Sequence, residues 1–194
     1  PGQTLCDAFC GVGPLAVRVA KEKIKVFAND LNPDCYYYLK RNAKINKIQD
    51  DDMYCYNMDA REFIKACVNR GKVYQEEEAN FDGVFPSNIK IDLFYMNLPK
   101  DALEFLDVFY GLFRGVDSKI YEKGKLPIVC VYCFAKEVKA EEEIVERIRQ
   151  SMKWEGFQRK NILDLHIIKD ISPKKYMFCV TFRVPDEVGF AVAE

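Results

Sequence analysis

The chain has 194 residues, of which 49% are hydrophobic and 30% are charged, a balance typical of one globular domain rather than of a disordered chain. Its 29 basic and 30 acidic residues give a net charge of −1, which argues against a protein that binds nucleic acid through bulk charge. No segment has the length and apolarity of a transmembrane helix, and no charged leader followed by an apolar run opens the chain. We therefore predict a protein that is neither secreted nor inserted in a membrane.

Apolar strands and amphipathic helices alternate along the sequence. Periodicity predicts strands over residues 4–10, 24–29, 53–58, 91–96, 126–134, 161–168 and 175–184. It predicts helices over residues 15–21, 32–46, 61–69, 102–113 and 138–154, and residues 70–90 have the composition of an inserted loop. This order predicts a single α/β domain over 1–194, with a mainly parallel sheet, helices on both faces and a C-terminal antiparallel hairpin.

The 8 cysteines are scattered through apolar segments, which indicates reduced intracellular thiols rather than a disulfide framework. Cys130 and Cys133 form a C-x-x-C within a strand, where this spacing directs the two side chains to opposite faces. No second pair of cysteines or histidines lies nearby, so we predict no metal site. His166, the single histidine, lies in an alternating strand pattern and is interpreted as a strand residue rather than a catalytic base.

Four predicted strands end in glycine or polar residues, and ligands of parallel α/β sheets bind at the carboxyl ends of the strands. We predict a binding site there that includes Asp7, Gly11, Gly13, Asp30, Asp59, Ala60 and Asn97. The glycines allow the backbone to turn tightly and to approach a ligand closely. Asp30 is suited to accept hydrogen bonds from both hydroxyls of a ribose.

The glycine turn leaves two classes of cofactor open. Gly11-x-Gly13-x-x-Ala16 matches the dinucleotide fingerprint, so a nicotinamide or flavin enzyme is one interpretation. However, Pro14 removes an N–H that a pyrophosphate would use, and Asp7 would repel a pyrophosphate. S-adenosylmethionine has an ammonium, a sulfonium and a ribose but no phosphate, so the residues favour this cofactor.

Asn97-Leu98-Pro99 follows the fourth strand and presents an amide from a turn that the proline fixes. In base-modifying methyltransferases an Asn/Asp-Pro-Pro-aromatic motif stands at this place, and its ring stacks on the flipped base. Lys100 stands at the aromatic position here, so methylation of the adenine amino group is less favoured.

Four segments together resemble the catalytic domain of the tRNA guanine-37 N1-methyltransferase family of archaea and eukaryotes: DAFCGVGPLAV, FANDLNP, MDAREF and MNLPKDALEFLDVF. The closing SPKKYMFCVTF resembles the final strand of that family. The resemblance implies a Rossmann-like class I methyltransferase that transfers methyl from S-adenosylmethionine to N1 of guanosine 37, beside the anticodon. It also implies that Asp30 and Leu31 bind the ribose, that Asp59 and Ala60 lie beside the adenine, and that Asn97 reaches the methyl donor and the guanine.

In this family a glutamate base and an arginine that steadies the guanine O6 precede the glycine motif. We therefore expect the chain to be a fragment without that base and without the N-terminal tRNA-binding domains, inactive unless Asp59 substitutes as the base. The expected partner is the anticodon stem-loop of tRNA, and the expected state is a monomer in the cytoplasm, with the nucleus and the mitochondrial matrix as alternatives. A wybutosine-pathway aminocarboxypropyl transferase, a nicotinamide oxidoreductase and a non-catalytic RNA-binding module remain alternative functions.

Overall fold

The computed structural model of the chain describes residues 2–69, 85–86, 89–136 and 138–192. The chain divides into two compact units, Pro1–Tyr95 and Met96–Glu194. Most of the predicted loop over 70–90 lies outside the described residues. No helix in the described ranges is long and apolar enough to cross a membrane.

The first unit is built on parallel strands, and β4 runs from it into the first residue of the second unit. The strands are β1 (Thr4–Asp7), β2 (Lys25–Asn29), β3 (Met53–Tyr56) and β4 (Leu93–Met96), hydrogen-bonded in the order β3-β2-β1-β4. The helices between them are α1 (Pro14–Lys21), α2 (Pro33–Ile45) and α3 (Ala60–Asn69). Each of these elements lies within a few residues of its predicted position.

Alternation along the strands gives this sheet two apolar faces. On one face Leu5 and Val26 belong to a buried cluster that includes Val17 of α1 and Leu39 of α2. On the other face the ring of Tyr56 lies 5.1 Å from that of Phe63 in α3. Helices therefore cover both faces, which confirms the prediction for the parallel part of the sheet.

The second unit contains the antiparallel strands β5 (Ile128–Lys136), β6 (Ile162–Ser172) and β7 (Lys175–Arg183), in the order β5-β7-β6. The predicted C-terminal hairpin is thus confirmed, although β6 is longer than the alternation indicates. The strand continues to Ser172, and the chain reverses where Lys174 takes a left-handed φ of 62°. Two helices complete the unit, α4 (Ala140–Met152) and the short α5 (Asp186–Gly189).

The helix predicted over residues 102–113 is wrong in type. The structure has a 3₁₀ helix over Glu104–Phe109, flanked by turns. Leu103, Leu106 and Phe109 recur at every third residue and are all buried, and this spacing aligns side chains on a 3₁₀ helix. The same residues also fit an apolar stripe on an α-helix, which is why the sequence predicts an α-helix here.

Candidate functional site

A buried carboxylate ends β1. Asp7 is 2% exposed, and its Oδ1 has no hydrogen-bond partner among the residues that the structure describes. Burial raises the pKa of Asp7 to about 7; a hydrogen bond from the backbone of Phe9 lowers it, and the negative charge of Asp30 adds to the rise. A carboxylate in this position is stabilised by a ligand that brings a cation or a hydrogen-bond donor.

The turn between β1 and α1 depends on glycine. Gly13 precedes α1 with a φ of +83°, and a Cβ there would lie 2.4 Å from Cδ1 of Leu39 in α2. Gly11 has a φ of +56°, but no atom lies within 4 Å of the place its Cβ would occupy. Asn42 of α2 also donates to the carbonyl oxygen of Val12 at 2.8 Å. The turn therefore packs against α2 at Gly13 and is open at Gly11.

Asp30, which follows β2, connects two backbone segments. Its Oδ2 accepts from the N–H of Gly11 at 2.9 Å, and its Oδ1 accepts from the N–H of Asn32 at 2.9 Å. Each carboxylate oxygen has a second lone pair, so Asp30 retains the capacity to accept from two ligand hydroxyls. Leu31, beside it, is 69% exposed and offers an apolar surface. The structure thus brings Asp7, Gly11, Asp30 and Leu31 to the ends of adjacent strands.

Two asparagines that the sequence analysis did not single out hold these strand ends together. The fully buried Asn29 donates to the carbonyl oxygens of Ala8 at 3.3 Å and Met58 at 3.0 Å, and it accepts from the N–H of Met58. Asn57 donates to the carbonyl oxygens of Asp30 and Leu31 at 2.7 and 3.0 Å. The signal for Asn29 was a polar residue at the end of an otherwise apolar strand.

Asp59 begins α3. Its Oδ1 accepts from the N–H groups of Arg61 at 2.9 Å and Glu62 at 3.3 Å, as an N-terminal capping residue does. Ala60 is buried at the first position of the helix. The structure therefore gives Asp59 a capping role, and its predicted roles beside the adenine and as a base stay predictions.

Asn97 follows β4 directly and is exposed. The turn after it is held by a hydrogen bond from the N–H of Phe134 to the carbonyl oxygen of Pro99 at 3.1 Å. A second bond runs from the N–H of Ala102 to the carbonyl oxygen of Leu98 at 2.7 Å. Two backbone hydrogen bonds therefore hold this turn, while the role of the Asn97 amide stays a prediction.

Comparison with known proteins finds a matching domain model, curated relatives and solved structures of similar fold. Residues 1–78 match the model of the TRM5/TYW2 methyltransferase domain. The first 78 residues of the chain are thus similar to this methyltransferase domain. The sequence resemblance and the Rossmann-like class I methyltransferase fold are thereby confirmed.

Curated relatives match nearly the whole chain. A tRNA (guanine(37)-N(1))-methyltransferase of Phytophthora infestans is 34% identical over 98% of this chain and 40% of its own length. One of Trichomonas vaginalis is 37% identical over 94% of this chain and 41% of its own length. The chain thus spans less than half the length of these two relatives.

Solved structures agree in fold. Trm5b from Pyrococcus abyssi superimposes with a TM-score of 0.64 and 27% identity, over 95% of this chain and 44% of that one. TYW2 of Pyrococcus horikoshii, solved in complex with MeSAdo, has a TM-score of 0.63 and 22% identity, over 94% and 57% of the two chains.

Proposed function

We propose that the chain is the catalytic domain of a tRNA methyltransferase that moves methyl from S-adenosylmethionine to N1 of guanosine 37. The names of the curated relatives support the substrate and the position of the methyl group. Asp7 carries the cofactor assignment, because its buried Oδ1 has no partner among the described residues.

The residues at the strand ends fit S-adenosylmethionine better than a dinucleotide. An ammonium group of the ligand would neutralise Asp7, whose burial otherwise penalises its charge. Asp30 would accept from the ribose hydroxyls, while its bonds to Gly11 and Asn32 hold it in place. A pyrophosphate would instead meet two carboxylates and a helix whose first residue, Pro14, has no N–H.

The cofactor, when bound, supplies an electrophilic methyl group on a sulfonium. Guanine N1 carries a proton at neutral pH, so the reaction needs a base and donors that stabilise charge on the ring. Asn97 has the donor and acceptor groups to orient a base edge, and Pro99 fixes the turn that presents it. The carboxylate of Asp59 is the candidate base within this chain, although it also caps α3.

Radiolabelled cofactor tests the proposal directly. With label in the methyl group, the expected acceptor is a tRNA transcript with guanosine at position 37 and not a transcript with adenosine there, and transfer by this chain alone requires Asp59 to act as the base. Label in the carboxyl group of the cofactor should remain in solution, as S-adenosylhomocysteine.

Transfer of the carboxyl label would identify an aminocarboxypropyl transferase and overturn the proposal.

Calorimetry tests the cofactor class separately from RNA recognition. Binding of NADH without binding of S-adenosylhomocysteine would contradict the assignment of Asp7 and Asp30.

A further inference from the structure

Two thiols of the second unit face each other across neighbouring strands. Sγ of Cys130 in β5 and Sγ of Cys179 in β7 are 3.1 Å apart. In the antiparallel register Cys130 lies opposite Thr181, and Cys179 lies opposite Tyr132. The two cysteines are therefore diagonal neighbours on the same face of the sheet.

Cys133 serves as an internal comparison. It lies on the same strand as Cys130, but the exposure pattern of β5 alternates and places it on the opposite face, where it is fully buried. The C-x-x-C spacing does not therefore join Cys130 to Cys133. All 8 cysteines of the chain are free thiols in this structure.

The surroundings of Cys179 favour a thiolate at that sulfur. A hydrogen bond from Cys130 lowers the pKa of Cys179, burial raises it, and His166, Thr181 and Tyr132 lower it further, to about 7. The shared hydrogen bond and burial raise the pKa of Cys130, which therefore keeps its proton. His166 lies opposite Cys179 in the register of β6 and β7. This arrangement pairs an attacking sulfur with a protonated neighbour.

We propose that Cys130 and Cys179 are a redox-active pair that closes to a reversible disulfide, with a peroxide as the oxidant. The thiolate of Cys179 attacks one peroxide oxygen, the O–O bond breaks, and Cys179 becomes a sulfenic acid, while the second oxygen leaves as hydroxide and takes up a proton to become water. The sulfur of Cys130 then attacks the sulfur of Cys179, and the hydroxyl leaves as water with the proton of Cys130. With hydrogen peroxide, two thiols and one peroxide give one disulfide and two waters.

The two sulfur atoms are already in contact before this step. A disulfide bond is about 2.05 Å long, so the sulfurs must approach each other by about 1 Å. Cys130 is half-buried and Cys179 is 3% exposed, so the proposal requires an oxidant as small as hydrogen peroxide. Metal binding does not account for the pair, because no group of three or more histidine, cysteine, aspartate or glutamate side chains in the described ranges is placed to hold an ion.

Oxidation with hydrogen peroxide, followed by thiol counting and peptide mapping without reductant, tests the proposal. We expect the number of free thiols to fall by two and a peptide that joins Cys130 to Cys179 to appear. Dithiothreitol should restore both thiols. The oxidised chain should also melt at a higher temperature, because the bond closes a long loop in the unfolded chain.

Three variants test whether the disulfide forms specifically between Cys130 and Cys179. Cys130→Ser and Cys179→Ser should each abolish the linked peptide, while Cys133→Ala should leave it unchanged. Melting under reducing conditions shows whether each variant is folded. If Cys179→Ser does not fold, Cys130→Ser still tests the proposal, because Cys130 is only half-buried. A linkage of Cys130 to Cys133 would overturn the proposal, as would the same loss of two thiols in Cys130→Ser.

Discussion

Asp7 carries a buried carboxylate whose charge is unfavourable in the folded, unliganded chain. Its folded pKa of about 7 lies above the ordinary value of 3.8, so the folded chain binds this proton more tightly than the unfolded chain does. The contribution of Asp7 to stability is therefore greatest below about pH 4, decreases as the pH rises to about 7, and stays reduced above that.

Replacing Asp7 by Asn should stabilise the unliganded chain at pH 8, because the amide keeps the shape and removes the buried charge. The expected gain is up to about 4 kcal/mol, at about 1.4 kcal/mol per pKa unit, and it should vanish at pH 4. Urea unfolding at the two pH values measures this difference. The same variant should bind S-adenosylhomocysteine more weakly at pH 8. A variant as stable as wild type at pH 8 would show that the charge of Asp7 is already compensated.

Asp30 is the residue whose loss should weaken cofactor binding most directly. Asp30→Ala should reduce the affinity for S-adenosylhomocysteine by about 2–3 kcal/mol, the scale of charge-assisted hydrogen bonds. The alanine also releases the N–H groups of Gly11 and Asn32, so stability must be measured in parallel. Asp30→Asn keeps an acceptor for one of them and separates the two effects. The exposed Asp50 provides a control, since Asp50→Ala should leave calorimetric affinity unchanged, and unchanged affinity in Asp30→Ala would contradict the placement.

Asn97 is expected to serve the reaction rather than the fold. Asn97→Ala should reduce kcat for methyl transfer by about 100–1000-fold, the range for loss of one preorganised contact in the transition state. The melting temperature should change little because the side chain is exposed and the following turn is held by backbone bonds at Leu98 and Pro99. A large loss of stability with kcat preserved would instead assign Asn97 to the turn.

At the scale of elements, local signals predicted most of the first unit. Pro14 and Pro33 mark the first residues of α1 and α2, and Asn32 caps α2 by accepting from the N–H of Asp34 at 2.9 Å. Such caps depend on residues within one turn, which is why the sequence alone reveals them. The bonds of Asn29 to Ala8 and Met58 join segments far apart in the sequence, and no local pattern specifies such partners.

The packing of the glycine turn against α2 is visible only in the structure. It predicts different effects for two matched variants, Gly13→Ala and Gly11→Ala. Gly13→Ala should destabilise the chain by about 2–4 kcal/mol, because a left-handed φ is combined with overlap on the buried Leu39. Gly11→Ala introduces only the strain of a left-handed φ, so it should lower the free energy of unfolding by about 1–2 kcal/mol. Urea unfolding measures both.

The double variant Gly13→Ala/Leu39→Ala refines this comparison. It should be more stable than the sum of the two single changes predicts, because the shortened side chain removes the overlap. Strict additivity would show that the overlap is relieved by movement of the turn.

At the scale of the whole molecule, the predicted order of strands and helices agrees with the structure. The two differ where the spacing of apolar residues fits more than one type of secondary structure. The period of three at Leu103, Leu106 and Phe109 suits a 3₁₀ helix, and nothing in the local composition separates it from an α-helix. The extension of β6 to Ser172 depends on its pairing with β7 rather than on its own alternation. Long-range pairing therefore decides the length of β6, which local alternation does not reveal.

Hydrogen exchange, measured along the whole chain, tests where the cofactor binds. A ligand that binds only the folded state raises the opening free energy of globally exchanging amides equally, by about 2.7 kcal/mol at 100 times Kd. Amides at the proposed site, such as Gly11 and Asn32, exchange through local openings in the free chain and should gain additional protection when the ligand holds the carboxylate of Asp30. With saturating S-adenosylhomocysteine we therefore expect the largest slowing at residues 8–13, 30–32 and 57–60, measured by mass spectrometry of overlapping peptides. If the largest slowing fell in β5, β6 and β7, the cofactor site would have to be sought in the second unit.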